Sequence, residues 1–283
     1  MTFGKRTRED LENCCSDGLF WPRDLLPHDY KNVRILTYGY DSHVSHYFKG
    51  PTNKLNLSQL GQALLNRVVG ERLRSKVSGR PIIFVAHSLG GLLVKETLVE
   101  SKKQGAASNK IDVYKSTRGV VFFGTPHKGS NDAKWGQLLR SIASAAFDTN
   151  DKIIRALEPD SELLDKLARD FQDILDEEKL KICSLLESAG KTGLPVFNGK
   201  VKPLSPDTNC KCHTHMFQVV PDFSASFGSR KFEHLDFIDN NHMGMCRFLG
   251  EDDGGYNRFR DGLEFCIDTL DDVGTMQEGW SRS

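Results

Sequence analysis

The sequence carries no excess of charge of either sign. Its 38 lysine and arginine residues are matched by 38 aspartate and glutamate residues, so the formal net charge at neutral pH is zero. A protein that binds nucleic acid usually concentrates cationic side chains against the phosphates. This composition provides no such surplus, and we expect no nucleic-acid partner.

Long apolar runs are missing as well. No stretch approaches the length of apolar sequence that spans a bilayer, and the opening M-T-F-G-K-R-T-R-E-D is charged where a secretory signal would be apolar. Seven cysteines, an odd number spread over 283 residues, are typical of reduced thiols and not of a disulfide framework. We therefore expect an intracellular protein that is not secreted and is soluble or peripheral to a membrane.

Repeats, low-complexity tracts and a phosphate-binding G-x-x-x-x-G-K-[ST] loop are also absent from the sequence. The length suits one large α/β domain with a sizeable core. We place a charged leader at residues 1–19, the domain at 20–272 with an inserted loop at 201–215, and a tail at 273–283.

Strand patterns alternate with helical patterns along this domain. Parallel strands joined by crossover helices produce such an order, which predicts an α/β fold whose mostly parallel sheet carries helices on both faces. The predicted strands are Val33–Tyr38, Ile82–Val85, Gly119–Phe123, Leu180–Leu186 and Met216–Val220. The predicted helices are Ser58–Lys76, Leu89–Ser101, Ala133–Ala146, Ser161–Asp176 and Tyr256–Leu270.

The stretch P-I-I-F-V-A-H-S-L-G-G places one serine, Ser88, between a strand pattern and a helical pattern. A strand that turns abruptly into a helix at a serine is typical of a nucleophile elbow, whose usual form is G-x-S-x-G. Here Ala86 replaces the first glycine, His87 occupies the next position, and Gly90 supplies the last glycine. The alternative is that Ser88 only caps the helix.

A nucleophilic serine needs an imidazole to accept its proton and a carboxylate to orient that imidazole. In α/β hydrolases the chain order is serine, acid, histidine. His242, in D-N-N-H-M-G-M-C-R-F, follows the last predicted strand and is the predicted base. His127 precedes both candidate acids in the chain and is expected to shape the rim of the site. The other histidines after the serine lie in a cysteine-rich stretch or a charged segment: His213, His215 and His234.

The position of the acid follows from counting strands. Catalytic groups gather at the carboxyl ends of parallel strands. Glu187 ends the strand predicted at Leu180–Leu186 and is the first choice, while Asp222 follows Met216–Val220 and is the alternative. Either could be an ordinary solvated carboxylate.

Five motifs occur in order from Phe20 to about Ile267: F-W-P-R-D-L-L-P, R-I-L-T-Y-G-Y-D, V-A-H-S-L-G-G-L-L-V-K-E, G-V-V-F-F-G-T-P-H-K-G-S and N-H-M-G-M-C-R-F. Together they resemble the serine-active-site-containing, lipase-like α/β hydrolase family, and most closely its fungal members at the N-terminus of NACHT or ankyrin-repeat receptor-like proteins. The resemblance implies a serine esterase that acts on carboxylic or lipid esters through Ser88, His242 and Glu187. It also implies peripheral contact with a mitochondrial or endoplasmic reticulum membrane and NLR-like signalling partner domains.

One element of that family is not found in the sequence. Its members usually begin with a strand ending in an H-G-x-G-G-type turn, which supplies half of the oxyanion hole, and the other half is the amide after the nucleophile, here Leu89. Losing one oxyanion donor costs about 2.7–4 kcal/mol of transition-state stabilisation. We therefore expect weakened activity, and the alternative is a catalytically impaired module kept for recognition or signalling.

A metal site is not expected. The stretch C-K-C-H-T-H offers Cys210, Cys212, His213 and His215, but these ligands fall within one short run and not in the separated pairs of a structural zinc site. A surface loop is the favoured interpretation. We expect no cofactor, and the only ligand we predict is an ester or lipid substrate.

Overall fold

The computed structural model describes most of the central part of the chain. The described residues are 19–39, 53–127, 161–177, 180–188, 196–197, 200–201, 220, 225–228 and 231–268. Several predicted features therefore lie outside them: nearly all of the leader, the helix Ala133–Ala146, the strand Met216–Val220 except its last residue, the inserted loop beyond Val201, and the tail.

The centre of the structure is a four-stranded parallel sheet. Its strands are β1 (Ile82–His87), β2 (Thr117–Phe123), β3 (Lys181–Glu187) and β6 (Glu233–Ile238). Between β3 and β6 in the chain, β4 (Val196–Phe197) and β5 (Lys200–Val201) form a separate antiparallel pair. The order across the sheet is β1-β2-β3-β6, and every pairing is parallel. The predicted α/β fold is confirmed, and the carboxyl ends of all four strands meet at one edge.

Strand β2 shows why both faces of the sheet are covered. Val120 and Phe122 belong to one core cluster, while the alternate residues Val121 and Phe123 belong to another. All four side chains are almost fully buried. Parallel sheets buried on both faces have near-continuous apolar strands, which explains the uninterrupted run G-V-V-F-F.

Helices α3 (Asn53–Ser75), α4 (Leu89–Lys102), α5 (Ile111–Ser116) and α6 (Ser161–Leu175) contribute to the first cluster. Helix α4 connects β1 to β2 and is buried along nearly its whole length. Its neighbour α3 approaches closely at Gly61, where a Cβ atom would lie 2.6 Å from the side chain of Glu96. This packing holds the helix that follows Ser88 firmly against the sheet.

The opposite face is covered by α7 (Gly254–Ile267) together with the short helices α1 (Trp21–Asp24) and α2 (Leu26–Asp29). The carboxylate of Asp253 caps α7 by accepting the amides of Gly255 and Tyr256 at 2.8 and 3.2 Å. The helix reaches the sheet closely because Gly262 faces the sulfur of Cys183 on β3.

Two strand predictions require correction. Val33–Tyr38 forms no strand, and its outermost side chains Val33 and Leu36 are 46% and 55% exposed. Arg34 anchors this segment through side-chain hydrogen bonds to α3, so it is held without a backbone ladder. Conversely, β6 was predicted only as a charged segment around His234.

The described residues contain no helix that is both long and apolar enough to cross a membrane. The cysteines in this part of the chain are free thiols: Cys183, Cys246 and Cys266. Burial raises the pKa of both Cys183 and Cys266. These two thiols are therefore protonated core side chains at neutral pH.

Candidate active site

Ser88 stands at the turn between β1 and α4 with backbone angles φ 55° and ψ −129°. Among the described non-glycine residues, only Ser88 and Lys76 have positive φ. The amide of Ser88 donates to the carbonyl of Phe123, at the end of β2, at 2.8 Å. A strained serine at a strand-to-helix turn has the backbone geometry that nucleophile elbows adopt.

Small neighbours make room for this turn. Ala86 is fully buried, and Gly90 is buried at the start of α4. At Gly91 a Cβ atom would lie 2.2 Å from the side chain of Thr125, in the loop after β2. The hydroxyl of Thr125 donates to the carbonyl of Ser88 at 3.0 Å, so the turn is tied to β2 from both sides.

His242 begins a tight turn, residues 242–246, that follows β6 and that we call the His242 turn. The side chain of Asn241 shapes its start by accepting the amides of Met243 and Gly244 at 3.1 and 3.0 Å. Nε2 of His242 lies 2.9 Å from Oγ of Ser88, across 154 residues of sequence. The predicted base and the predicted nucleophile are thus within hydrogen-bond distance.

Gly124 provides the space that the His242 ring occupies. Its φ is +50°, and a Cβ atom there would lie 3.0 Å from Nδ1 of His242 and 2.9 Å from the sulfur of Met245. A side chain at Gly124 would meet both the strain of positive φ and the imidazole. The sequence G-T-P-H contains this glycine, but only the fold shows which ring it accommodates.

Glu187, the last residue of β3, is 1% exposed and lies beside the imidazole. Its Oε1 is 3.9 Å from Nδ1 of His242 and accepts the amide of Val220 at 2.6 Å. The three side chains at the carboxyl ends of β1, β3 and β6 therefore form a row in the order serine, histidine, glutamate. The alternative acid Asp222 lies outside the described residues.

His87 contacts the same site from the end of β1. Its Nε2 lies 2.7 Å from the backbone carbonyl of His242, and the two rings are 4.9 Å apart. Burial lowers the pKa of His87, but hydrogen-bonded Cys246 raises it, and the net shift is upward. Burial raises the pKa of the Cys246 thiol, but His87 lowers it more, so the net shift is downward. Sequence reasoning gave His87 no role beyond its place in the elbow.

Behind the site a lysine is buried among aromatic rings. Nζ of Lys95 lies 4.8–5.9 Å from the ring centres of Phe122, Phe171 and Phe227. Burial lowers the pKa of Lys95 to about 7. His127, expected at the rim, is instead 3% exposed and packs between Phe122 and Phe227, with ring centres 4.6 and 4.0 Å away.

The other predicted positions lie at the start of α4, on β6 and outside the described residues. Leu89 is the first residue of α4, where the amides have no carbonyl acceptor within the helix. His234 lies on β6, with its ring 5.6 Å from that of Phe265. The cysteine-histidine stretch 210–215 lies outside the described residues, and within them no group of three potential metal ligands comes together.

The chain is similar in sequence to vertebrate proteins named Protein SERAC1. Protein SERAC1 of Bos taurus is 28% identical over 251 residues, which cover 88% of this chain and 33% of the bovine protein. Protein SERAC1 of Danio rerio is 29% identical over 266 residues, 93% of this chain and 34% of the fish protein. Protein SERAC1 of Homo sapiens is 27% identical over 239 residues, 84% of this chain and 32% of the human protein.

The chain therefore spans about a third of the length of the curated relatives it matches. No family description matches the chain, and no solved structure matches it. The three relatives are vertebrate proteins, and they give no support to the expected association with fungal NACHT or ankyrin-repeat receptor-like proteins. That association stays a prediction from the sequence.

Proposed function

We propose that this chain is a serine hydrolase that cleaves carboxylic or lipid esters, with Ser88 as nucleophile, His242 as base and Glu187 as the orienting acid. The observation that carries the proposal is the distance of 2.9 Å between Nε2 of His242 and Oγ of Ser88. The strained backbone of Ser88 supports it, because a serine that only capped a helix would not need positive φ.

The reaction proceeds in two halves. As Oγ of Ser88 bonds to the ester carbonyl carbon, its proton passes to Nε2 of His242. The tetrahedral intermediate collapses, the bond to the alcohol breaks, and His242 returns the proton to the leaving oxygen. Water then attacks the acyl-serine while His242 takes its proton, the bond to Oγ breaks to release the carboxylic acid, and His242 returns the proton to Oγ of Ser88.

Glu187 is the carboxylate that lies beside the His242 imidazole, at a distance longer than a hydrogen bond. The Val220 amide holds its Oε1 at 2.6 Å, and the same oxygen stands 3.9 Å from Nδ1 of His242. Catalytic hydrogen bonds are often long before the substrate binds and tighten in the reacting complex. Asp222 remains the alternative acid.

The amide of Leu89 is the proposed oxyanion donor. It belongs to the first turn of α4, where unpaired amides and the helix dipole favour negative charge. An intermediate on Ser88 would place its oxyanion next to the following residue, as in other elbows.

The ester class rests on the resemblance to lipase-like hydrolases. Similarity to Protein SERAC1 covers most of this chain but only a third of those proteins, so their activities and locations do not transfer directly. A location in the cytoplasm, or at the surface of a mitochondrial or endoplasmic reticulum membrane, belongs to the same proposal.

A fluorophosphonate probe tests the nucleophile. It should label the folded protein once, on the peptide containing Ser88, and Ser88→Ala should abolish labelling. The matched control is Ser78→Ala, since Ser78 is an exposed serine in a turn before β1, at the opposite end of that strand from Ser88. Labelling and peptide mapping by mass spectrometry measure both outcomes.

Two results would count against the proposal. Labelling that survives Ser88→Ala would remove Ser88 from the nucleophile role. A well-folded wild-type protein that takes no label would favour the alternative, a hydrolase fold kept for recognition or signalling.

A further inference from the structure

His87 joins the two halves of the proposed site through one backbone hydrogen bond. It is the last residue of β1, where it pairs with Phe123 in the sheet, and it directly precedes Ser88. Its Nε2 lies 2.7 Å from the carbonyl oxygen of His242. The bond therefore spans 155 residues, from the strand that carries the nucleophile to the turn that carries the base.

The acceptor fixes the protonation of the His87 ring. A carbonyl oxygen can only accept, so the proton of the neutral imidazole must sit on Nε2 of His87. The Cys246 thiol also interacts with the His87 ring, and this interaction raises the pKa of His87 and lowers that of Cys246. His87 thus holds the first and last residues of the His242 turn at once.

Other contacts also hold the His242 turn, including Met245, which is fully buried in the core cluster on the α7 face of the sheet. Nε1 of Trp21 donates to the carbonyl of Cys246 at 3.1 Å, and Asn241 bonds to amides inside the turn. Neither of these contacts fixes the turn relative to Ser88. The hydrogen bond of His87, by contrast, connects the backbone of His242 directly to the nucleophile strand.

We infer that His87 is a positioning residue that sets the distance between Nε2 of His242 and Oγ of Ser88 by holding the carbonyl of His242. This inference rests on the proposed function. A displacement of about 1 Å at a reacting group can cost roughly a hundredfold in rate. His87 directly precedes the nucleophile in the chain. Its hydrogen bond to the His242 carbonyl therefore restrains the base against such a displacement from Ser88.

Two substitutions separate the hydrogen bond from the volume of the ring. In His87→Gln, the amide nitrogen can donate to the same carbonyl, whereas His87→Met has a similar length and no donor. We expect His87→Met to lower the maximal rate of fluorophosphonate labelling at Ser88 by roughly 10- to 100-fold with unchanged probe affinity. His87→Gln should restore most of that rate.

Nuclear magnetic resonance of ¹⁵N-histidine provides a readout that does not depend on reactivity. The His87 ring should appear as the tautomer protonated on Nε2, and the ring signals of His242 should move in His87→Met but remain close to wild type in His87→Gln. If His87→Met does not fold, His87→Phe keeps an aromatic ring without a donor and takes its place.

The outcomes distinguish this inference from the proposed function. Wild-type labelling speed in a folded His87→Met protein, or an equal loss in His87→Gln, overturns the positioning role. If the wild type takes no label, the proposed function fails, and the His242 ring signals then test the positioning role of His87. A shift of these signals in His87→Met but not in His87→Gln supports that role, and the absence of any shift rejects it.

Discussion

Ser88 holds a backbone conformation that costs a non-glycine residue roughly 1–3 kcal/mol. The surrounding contacts keep it there: the amide of Ser88 donates to Phe123, and its carbonyl accepts the hydroxyl of Thr125. These hydrogen bonds, to the last residue of β2 and to the loop after it, offset the strain at Ser88. This arrangement presents Oγ to the imidazole and accounts for the serine better than helix capping does.

The role of Glu187 leads to a prediction at the same scale. Glu187→Gln keeps an oxygen that accepts the Val220 amide but removes the charge that stabilises a protonated His242. We expect ester turnover to fall by up to about ten-thousandfold, because a triad that loses its orienting carboxylate loses that much. Urea unfolding should show nearly wild-type stability.

Asp222→Asn is the matched variant for this prediction and should have a mild effect on turnover. Steady-state kinetics of the two proteins at equal folded concentration make the comparison. The reverse pattern, with Asp222→Asn inactive and Glu187→Gln active, would give the acid role to Asp222 and show that the strand count is one too low.

Secondary-structure elements differ in how well the sequence predicts them. Strands β1, β2 and β3 are apolar, buried runs and were predicted within a few residues of their ends. The sequence does not predict β6, because E-H-L-D-F-I mixes charged and apolar residues and lacks the apolar run of the other strands. In the structure its Leu235 and Phe237 are 45% and 37% exposed. Val33–Tyr38 has strand-forming composition, yet no described strand pairs with it.

The packing of α7 on the sheet can be tested by enlarging a residue on α7 and shortening the side chain that it faces on β3. A Cβ atom at Gly262 would lie 2.2 Å from the sulfur of Cys183 and 3.1 Å from its Cβ. We expect Gly262→Ala to destabilise the fold by about 1–3 kcal/mol, the usual cost of overpacking. Adding Cys183→Ala removes the sulfur and should restore much of that loss.

Urea unfolding of the two single variants and the double variant measures the coupling. Gly254→Ala is the control, because Gly254 starts the same helix and no atom lies within 4 Å of its added Cβ. Additive effects in the double variant would show that α7 does not approach β3 through these two residues.

At the scale of the whole molecule, a parallel sheet explains why distant residues meet. Ser88, Glu187 and His242 follow the carboxyl ends of β1, β3 and β6, and these ends lie at one edge. Chain order and strand counting predict the places of Ser88 and Glu187 at this edge. The place of His242 follows from chain order alone, because the sequence does not predict β6. Their chemical roles remain proposals.

Contacts that depend on the precise distance between two backbone segments could not be predicted from chain order. The bond from His87 to the His242 carbonyl and the space left by Gly124 follow from register and turn geometry. Burial of Lys95 among three phenylalanine rings contradicts the usual exposure of lysine, and the helical pattern around it does not reveal this.

The central claim is that Ser88 is the nucleophile of an ester hydrolase, and its most direct test is turnover of a short-chain aryl ester by wild type and Ser88→Ala at equal folded concentration. We predict measurable wild-type turnover and a rate lower by about a hundredfold or more in Ser88→Ala, since removing a nucleophile removes the acyl-enzyme route. Equal rates in the two proteins would contradict the account.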